Sequence, residues 1–305
     1  MFAEKSVRKV VYNGKEYTLS IEYRHKNNNL IFFIHGLGCT KESFREAFQS
    51  ASLARYSLLT FDLVGHGESE KPHDFSYTVE EQAGIAQTLL QQFHPAKIHL
   101  VAHSMGGAIG LLLAEKLDRK LATFINAEGN LVSEDCGISR KAISVSYENF
   151  KTSAFQAIKD NRKNSANKAD RLWAQWMDET NPYAFYQSAL SLVYWSDSGK
   201  LLKKFLTLPC SKHYLYGEKN ASKKTKLLQQ LHPLVQGSLL HGPQRLGQRP
   251  DRIAERAPGR SRQRPRLFRI RPSRSSHRRS RSGRAIFPRS PGAKLQSTRN
   301  PGLLG

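Results

Sequence analysis

The stretch "IHLVAHSMGG", residues 98–107, runs through apolar positions into a lone serine and leaves it through two glycines. We predict a strand before Ser104 and a helix after it, so that the serine lies in a tight, strained turn. Small residues two positions before and after it, Ala102 and Gly106, prevent steric clash in that turn. The turn holds the hydroxyl above the edge of a sheet, where free N–H groups at the helix start can stabilise an oxyanion. Ser104 is therefore a candidate nucleophile, and its alternative role is that of a helix N-cap.

The segments around this turn alternate between strand and helix patterns. We predict strands within "KSVRKVVY", "KEYTLSIEY", "NLIFFIHGLG", "YSLLTF", "KIHLVAH" and "LATFINAEGN". Helices are predicted from about Thr40 through "KESFREAFQSA", over "TVEEQAGIAQTLLQQF" and over "MGGAIGLLLAEKL". The third strand pattern is short and continuously apolar, as expected for a strand that is buried on both faces. This order of elements predicts an α/β fold with a doubly wound, mostly parallel sheet.

Two further segments carry loop motifs. The segment "FFIHGLG" ends the third predicted strand, and "FDLVGHGES" ends the fourth. Together with "AHSMGG", these segments resemble the α/β-hydrolase superfamily, with Ala102 in place of the usual first glycine. The resemblance implies that Ser104 is the nucleophile and that the backbone N–H groups of Leu37 and Met105 form the oxyanion hole. It also implies an eight-stranded core whose last strand would lie beyond Leu234.

A serine nucleophile needs a general base and an acid that orients the base. Most relatives carry the acid after the seventh strand, in a segment like "YGEKD", whereas this chain reads "YGEKN" and has Asn220 at that place. Some relatives, notably haloalkane dehalogenases, carry a glutamate just after the sixth strand, and "FINAEGNL" puts Glu128 there. We therefore predict Glu128 as the acid. Asp135 is the next candidate, and the alternative for Glu128 is an ordinary polar residue in a strand-end turn.

The general base of the family follows the eighth strand, in a Gly-His pair. In this chain that region falls in "LVQGSLLHGPQRLGQRP", which offers His241 but no recognisable strand or following helix. His241 is therefore the nearest candidate for the base. His35, His66 and His103 belong to the loop motifs, and we predict packing roles for them.

The resemblance covers residues 1–234 and suggests a division into domains. The predicted parts are a first core segment over residues 1–131, a helical cap inserted after the sixth strand over 132–207, and a second core segment over 208–235. The cap segment holds all three tryptophans, which are Trp173, Trp176 and Trp195, together with Tyr183, Phe185, Tyr186 and Tyr194. In the family a cap covers the site and sets substrate choice. We therefore expect some of these side chains to line an apolar pocket, with core packing as the alternative.

Residues 236–305 differ in composition from the rest of the chain. Residues 241–305 hold seventeen Arg, one Lys, one Asp and one Glu, so they carry +16 of the formal charge of +23. Residues 1–240 instead hold 22 Lys and 8 Arg. A segment so rich in Arg, Pro and Ser has too little apolar surface to offset its chain entropy, so we predict that it is disordered. The abrupt change also indicates a different coding origin, such as a frameshift near residue 236, with the eighth strand and its helix missing or replaced.

Composition also excludes several classes of protein. The segment "MFAEKSVRKV" does not resemble a secretory leader, and no apolar run approaches the roughly 18 residues that a membrane span requires. The three cysteines, Cys39, Cys136 and Cys210, are too few and too scattered for a disulfide framework or a CxxC metal site. We therefore expect a soluble, cytoplasmic protein with no membrane partner.

The predicted function is that of a serine hydrolase, a carboxylesterase that cleaves a small or medium apolar ester through an acyl-enzyme. This chemistry requires no metal and no organic cofactor. Thioesters, lactones and carbon–carbon cleavage of dienoates use the same machinery and stay open. Two alternatives remain, an inactive truncated or frameshifted hydrolase and an RNA- or DNA-binding protein that acts through its Arg-rich tail. Because that tail lacks interleaved aromatic residues, nucleic acid is the less expected partner, and the sequence leaves the oligomeric state undetermined.

Overall fold

The computed structural model describes residues 3–217, Asn220, Leu227 and residues 230–231, together with the backbone of two later strands. The strands are β1 (Glu4–Tyr12), β2 (Lys15–Arg24), β3 (Asn29–Ile34), β4 (Ser57–Phe61), β5 (Lys97–His103), β6 (Leu121–Ala127), β7 (Ser211–Leu215), β8 (Val235–Ser238) and β9 (Arg266–Ile270). They form one nine-stranded sheet in the order β1-β2-β4-β3-β5-β6-β7-β9-β8. The six strands predicted from sequence correspond to β1–β6.

The centre of the sheet is parallel and its edges are antiparallel. β3 pairs in parallel with β4 on one side and with β5 on the other, and the parallel pairing continues through β6 to β7. β1 and β2 form an antiparallel hairpin, and β2 is antiparallel to β4. The predicted doubly wound, mostly parallel sheet is therefore confirmed. Because the carboxyl ends of parallel strands share one edge, Leu37, Ser104 and Glu128 follow strands that end at the same edge of the sheet.

The side chains of β3 alternate between two buried cores. Leu30, Phe32 and Ile34 belong to the larger core, whereas Ile31 and Phe33 pack into a smaller one. Successive side chains of a strand point to opposite faces of the sheet, so both faces are covered at its centre. This explains why the sequence of β3 is continuously apolar rather than alternating.

Helices cover both faces of the sheet. The α-helices are α1 (Arg45–Gln49), α2 (Val79–Gln91), α3 (Met105–Leu117), α4 (Gly137–Ile143), α5 (Tyr147–Asn149), α6 (Phe155–Lys163), α7 (Lys168–Met177), α8 (Pro182–Asp197) and α9 (Lys200–Thr207). Residues of α1 pack into the smaller core, and α2, α3 and α9 contribute to the larger one. The helices therefore lie on both faces of the sheet, as a doubly wound fold requires.

The helix predicted from Thr40 is shorter than expected. A 3₁₀ turn covers Lys41–Phe44 before the short α1 begins, and the Thr40 side chain makes no capping hydrogen bond. The Lys41 N–H instead donates to the carboxylate of Asp62, in the loop after β4, at 2.6 Å. Thr40 therefore occupies the N-cap position, as predicted, but the Asp62 carboxylate and not the Thr40 hydroxyl accepts from the N–H at the start of this turn.

Six α-helices, α4–α9, lie between β6 and β7, with a π-helical turn over Phe150–Ala154. This is the segment for which the sequence predicts a cap. α8 packs against α2, α3 and α4, so the inserted helices are in direct contact with those of the sheet. The division into residues 1–131, 132–207 and 208–235 stays a prediction. In the part of the chain that the structure describes, no helix combines the length and apolar character that crossing a bilayer requires.

Two short strands extend the sheet beyond β7. β9 is antiparallel to β7, and β8 is antiparallel to β9. β9 reads "RLFRI" and lies within the segment predicted to be disordered, a difference that its local apolar content explains, since Leu, Phe and Ile favour strands. A strand does follow Leu234: β8 lies in the stretch where the sequence offered no recognisable strand, and it is antiparallel to β9. His241 and most of the Arg-rich tail lie outside the described residues.

Candidate active site

Ser104 lies between β5 and α3 in a strained backbone conformation. Its φ is 53° and its ψ is −124°, a combination that residues other than glycine rarely adopt. Three backbone hydrogen bonds hold the turn. The Ser104 N–H donates to the Ala127 carbonyl at 3.1 Å, and the Ser104 carbonyl accepts from the N–H groups of Gly107 at 2.8 Å and Asn130 at 3.3 Å. The serine therefore has the strand-turn-helix geometry that the sequence predicts.

Close packing explains why the residues around this turn are small. A Cβ atom on Gly106 would lie 2.4 Å from the carbonyl oxygen of Ile34 and 2.6 Å from that of His35. A Cβ atom on Gly36 would lie 2.9 Å from the Cβ of Ser104. The start of α3 and the loop after β3 are therefore in contact, and larger side chains would separate them.

Leu37 and Met105, the predicted oxyanion-hole residues, lie in these two touching segments. Both side chains are buried, at 7% and 1% exposure. Leu37 also borders the same cavity as Ser104. The structure thus brings both segments next to the serine, and the role of their backbone N–H groups as oxyanion donors stays a prediction.

Glu128 follows β6 directly and has a φ of 50°. Its N–H donates to the carbonyl of Leu215, at the end of β7, at 2.7 Å. Its carboxylate accepts a hydrogen bond from the Gly217 N–H at 2.6 Å and bonds from the side-chain amide of Asn220 at 2.9 and 3.0 Å. The ends of the sixth and seventh strands, where the resemblance places the acid, therefore meet in space, and Glu128 supplies the carboxylate there.

Ser104, Glu128 and Asn220 border one cavity of about 610 Å³. The loops after β3, β5, β6 and β7 line it together with residues of α4, α6, α7 and α8. Apolar walls come from Leu37, Ile138, Trp173 and Leu192. Within the described residues, no group of three or more His, Cys, Asp and Glu side chains could hold a metal ion.

Asp135, the next candidate for the acid, also borders the cavity. Its carboxylate accepts hydrogen bonds from the backbone N–H groups of Leu131 and Val132 at 2.8 and 3.2 Å. These bonds fold the loop between β6 and α4 onto itself. The Asp135 carboxylate therefore stabilises its own loop, whereas Glu128 links the ends of two strands next to the serine.

His103 is the one histidine among the described lining residues of this cavity. Burial lowers the pKa of its imidazole, and the nearby Glu128 carboxylate opposes that shift. The imidazole is therefore neutral at pH 7, and burial makes its protonation less favourable. The other two motif histidines are fully buried, and burial lowers the pKa of His35 to about 4 and that of His66 to about 3, in keeping with packing roles.

Among the aromatic side chains of the inserted helices that the sequence singles out, Trp173 borders the cavity. Trp195 instead donates its indole N–H to the Glu80 carboxylate at 2.6 Å. Phe185 and Tyr186 are buried in the larger core. Trp195, Phe185 and Tyr186 therefore have packing roles in the core or at the surface. Trp173 lines the cavity, as expected for a side chain of the inserted helices.

Sequence reasoning assigned no role to Arg162 and Asp170, which also border the cavity. They form an ion pair at 2.8 Å between α6 and α7. The two residues are eight positions apart across a helix break, a spacing that predicts no contact within one helix. This contact depends on the packing of the two helices and could not be found from periodicity.

Comparison with known proteins finds relatives for the first part of the chain. A family model described as the alpha/beta hydrolase fold matches residues 29–174. "Probable lysophospholipase BODYGUARD 1" of Arabidopsis thaliana is 35% identical over 97 residues, which are 30% of this chain and 21% of that protein. "Lipase 1" of Psychrobacter immobilis is 39% identical over 87 residues, which are 28% of this chain and 27% of that protein. The matched region thus spans less than a third of the length of either relative.

Solved structures share the architecture over a longer range. A carboxylesterase structure from Nitrososphaera gargenis matches with a TM-score of 0.60 and 15% identity, over 74% of this chain and 85% of that one. An esterase from Exiguobacterium antarcticum matches with a TM-score of 0.59 and 14% identity, over 74% and 86%. At such identities the likeness shows the fold. The family match over residues 29–174 and the strained turn at Ser104 agree with these structures, and the chain has the α/β-hydrolase fold.

Proposed function

We propose that this chain is a serine esterase whose nucleophile is Ser104 and whose acid is Glu128. The observation that carries the proposal is that these two residues, which follow different strands, border one cavity, with Glu128 fixed by Gly217 and Asn220. The names of the relatives, a lysophospholipase and a lipase, and the esterases among the structural neighbours support hydrolysis of a carboxylic ester.

In the proposed reaction the Ser104 hydroxyl attacks the ester carbonyl and loses its proton to a histidine. The backbone N–H groups of Leu37 and Met105 stabilise the oxyanion of the tetrahedral intermediate. The alcohol leaves with that proton, and water then releases the acid from the acyl-enzyme. The chain offers two candidates for the base: His103, which lies at the cavity wall, and His241, from the segment where the family carries it.

The dimensions of the cavity support an ester of small or medium size. Its volume of about 610 Å³ lies within the range of roughly 300–1,000 Å³ that ligand pockets occupy. Leu37, Ile138, Trp173 and Leu192 supply the apolar contacts. A substrate with an uncharged, apolar acyl or alcohol part therefore fits this wall.

A fluorophosphonate probe tests the nucleophile, because it phosphonylates a serine only where a base and an oxyanion site activate it. Mass spectrometry of the tryptic peptides should place the label on Ser104. Ser104→Ala should abolish labelling, and Ser144→Ala, at an exposed helix end, should retain it. Label on another serine, or labelling that persists in Ser104→Ala, would contradict the assignment. Comparing His103→Gln with His241→Ala in the same assay then identifies the base, as the variant that stops labelling.

A further inference from the structure

The indole of Trp173 connects the inserted helices to the loop after β3. Its Nε1–H donates to the backbone carbonyl of Leu37 at 2.9 Å, across 136 positions of sequence. That carbonyl belongs to the peptide that joins Leu37 to Gly38, directly after the N–H proposed as an oxyanion donor. A bond at this carbonyl restrains the Leu37–Gly38 peptide plane. Through the Leu37 Cα it also limits rotation of the preceding Gly36–Leu37 peptide, which carries the Leu37 N–H.

The surroundings of Gly38 show that α7 and α8 press closely on this loop. Gly38 has a φ of 67°, and a Cβ atom there would lie 3.0 Å from Met177, 3.0 Å from Phe185 and 3.1 Å from the Trp173 Nε1. On its other side the loop is closed by a hydrogen bond of 3.1 Å from the Cys39 N–H to the Gly36 carbonyl. Packing thus confines the loop, and the indole supplies the directional contact.

Neighbouring charges hold the indole itself in place. The Arg162 guanidinium lies 5.7 Å from the centroid of the Trp173 ring, within the range of a cation–π interaction. Arg162 is in turn paired with Asp170 at 2.8 Å. The Trp173 side chain is therefore fixed by a contact on its ring and by a hydrogen bond at its nitrogen.

We propose that Trp173 is a positioning residue that orients the oxyanion loop through its hydrogen bond to Leu37. The inference rests on the proposed function, in which the Leu37 N–H meets the developing negative charge. Donors stabilise such a charge best when their orientation is fixed before the reaction. The inserted helices then act on the chemical step as well as forming a wall of the cavity.

The matched pair of variants is Trp173→Phe and Trp195→Phe. Each removes one indole N–H that donates a hydrogen bond, to Leu37 in the first case and to Glu80 in the second. Trp173→Phe keeps an aromatic ring beneath Arg162, so the change is confined mainly to the hydrogen bond. Two quantities are measured on the full chain: the rate of phosphonylation of Ser104 as a function of probe concentration, and the hydrogen exchange of the amides of residues 37–39.

Trp173→Phe should lower the maximal phosphonylation rate by about three- to tenfold, the fold-change that corresponds to one hydrogen bond. The probe concentration at half-maximal rate should stay within about twofold, because the bond orients a donor rather than binding the probe. The loop amides should exchange faster, since a constraint on their backbone is lost. Trp195→Phe should leave the maximal rate, the probe concentration at half-maximal rate and the exchange of the loop amides unchanged.

Equal slowing in both variants, or slowing by Trp173→Phe without faster loop exchange, would overturn the positioning role. If the unmutated chain shows no label on Ser104, the proposed esterase function fails instead. Hydrogen exchange then tests by itself whether the hydrogen bond from Trp173 restrains the loop. Faster exchange of the loop amides in Trp173→Phe alone supports that restraint, and unchanged exchange refutes it.

Discussion

The Glu128 carboxylate accepts hydrogen bonds from the Asn220 side-chain amide at 2.9 and 3.0 Å, although the two residues are 92 positions apart. Asn220 stands where most relatives are expected to carry the acid, and Glu128 where a minority do. The amide donates both hydrogen bonds to the carboxylate and so holds its two oxygens in place. Asn220 can therefore support an acid at Glu128 without being one.

Glu128→Gln should lower ester hydrolysis by about three to four orders of magnitude, since it removes the charge that orients and stabilises the imidazolium. Asn220→Ala should lower it only a few-fold, because the Gly217 N–H still holds the carboxylate at 2.6 Å. Turnover of a 4-nitrophenyl ester under saturating and limiting concentrations measures both. A larger loss in Asn220→Ala than in Glu128→Gln would refute the placement of the acid after the sixth strand.

Backbone strain at Ser104 predicts a measurable effect on stability. With a φ of 53° at this position, Ser104→Gly should be more stable than Ser104→Ala by about 1 kcal/mol, because glycine adopts this region without steric cost. Midpoints of urea unfolding for the two variants give the difference.

Ser144 is the matched control, since its φ of −71° is an ordinary helical value. There the order should reverse, with Ser144→Ala more stable than Ser144→Gly, because glycine loses more chain entropy on folding. If Ser104→Gly is less stable to urea than Ser104→Ala, the turn lacks the strain that the backbone angles indicate.

Local sequence determines the backbone features around Ser104 that could be predicted. The turn at Ser104 needs a strand, a serine and two glycines within one short stretch, and the loop after β3 needs the His-Gly pair that precedes Leu37. Each of these is a backbone requirement of adjacent residues, so the order of residue types reveals it. The parallel sheet follows in the same way from the alternation of strand and helix patterns.

Contacts between distant segments were not accessible from the sequence. The bond from Trp173 to Leu37 depends on how α7 packs over the sheet, and hydrophobic periodicity gives a helix face but not its partner. The pairing of β9 with β7 likewise depends on long-range register, which composition does not encode. For the same reason the sequence predicts Glu128 as the acid and Asn220 as a residue without that charge, but it does not reveal the hydrogen bonds that join their side chains.

The charge of the cavity predicts discrimination between substrates. The described lining residues include the carboxylates of Glu128, Glu134, Asp135 and Asp170 but only one guanidinium, that of Arg162. A negative substituent close to these groups is repelled by about 1–2 kcal/mol at an effective dielectric constant suited to a partly solvated site. The 4-nitrophenyl ester of butyrate should therefore be cleaved about tenfold faster, in kcat/KM, than the corresponding monoester of succinate.

Salt and one substitution check the cause of that preference. Raising the ionic strength should reduce the difference in kcat/KM between the two esters, because mobile ions screen the repulsion. Glu134→Gln should narrow it as well, since Glu134 is exposed at the cavity rim and its loss removes one charge. If neither change alters the ratio of kcat/KM for the two esters, the preference comes from the shape of the cavity and not from its charge.

Acid should destabilise the fold through His35. Its ring is fully buried, it accepts a hydrogen bond from the Leu63 N–H at 3.0 Å, and burial lowers its pKa from 6.5 to about 4. Between these two values the unfolded chain binds a proton that the folded chain does not, so stability is present above pH 6.5 and falls as the pH approaches 4. From pH 7 to pH 5 this one group should account for a loss of about 2 kcal/mol in the free energy of unfolding.

Urea unfolding at both pH values tests this expectation. The loss of stability between pH 7 and pH 5 should be smaller in His35→Gln, whose amide oxygen can still accept from the Leu63 N–H. It should be unchanged in His73→Gln, a control at an exposed position. If His35→Gln loses as much stability as the unmutated chain, protonation of His35 does not limit the fold, and the buried His66, whose pKa burial lowers to about 3, becomes the group to test.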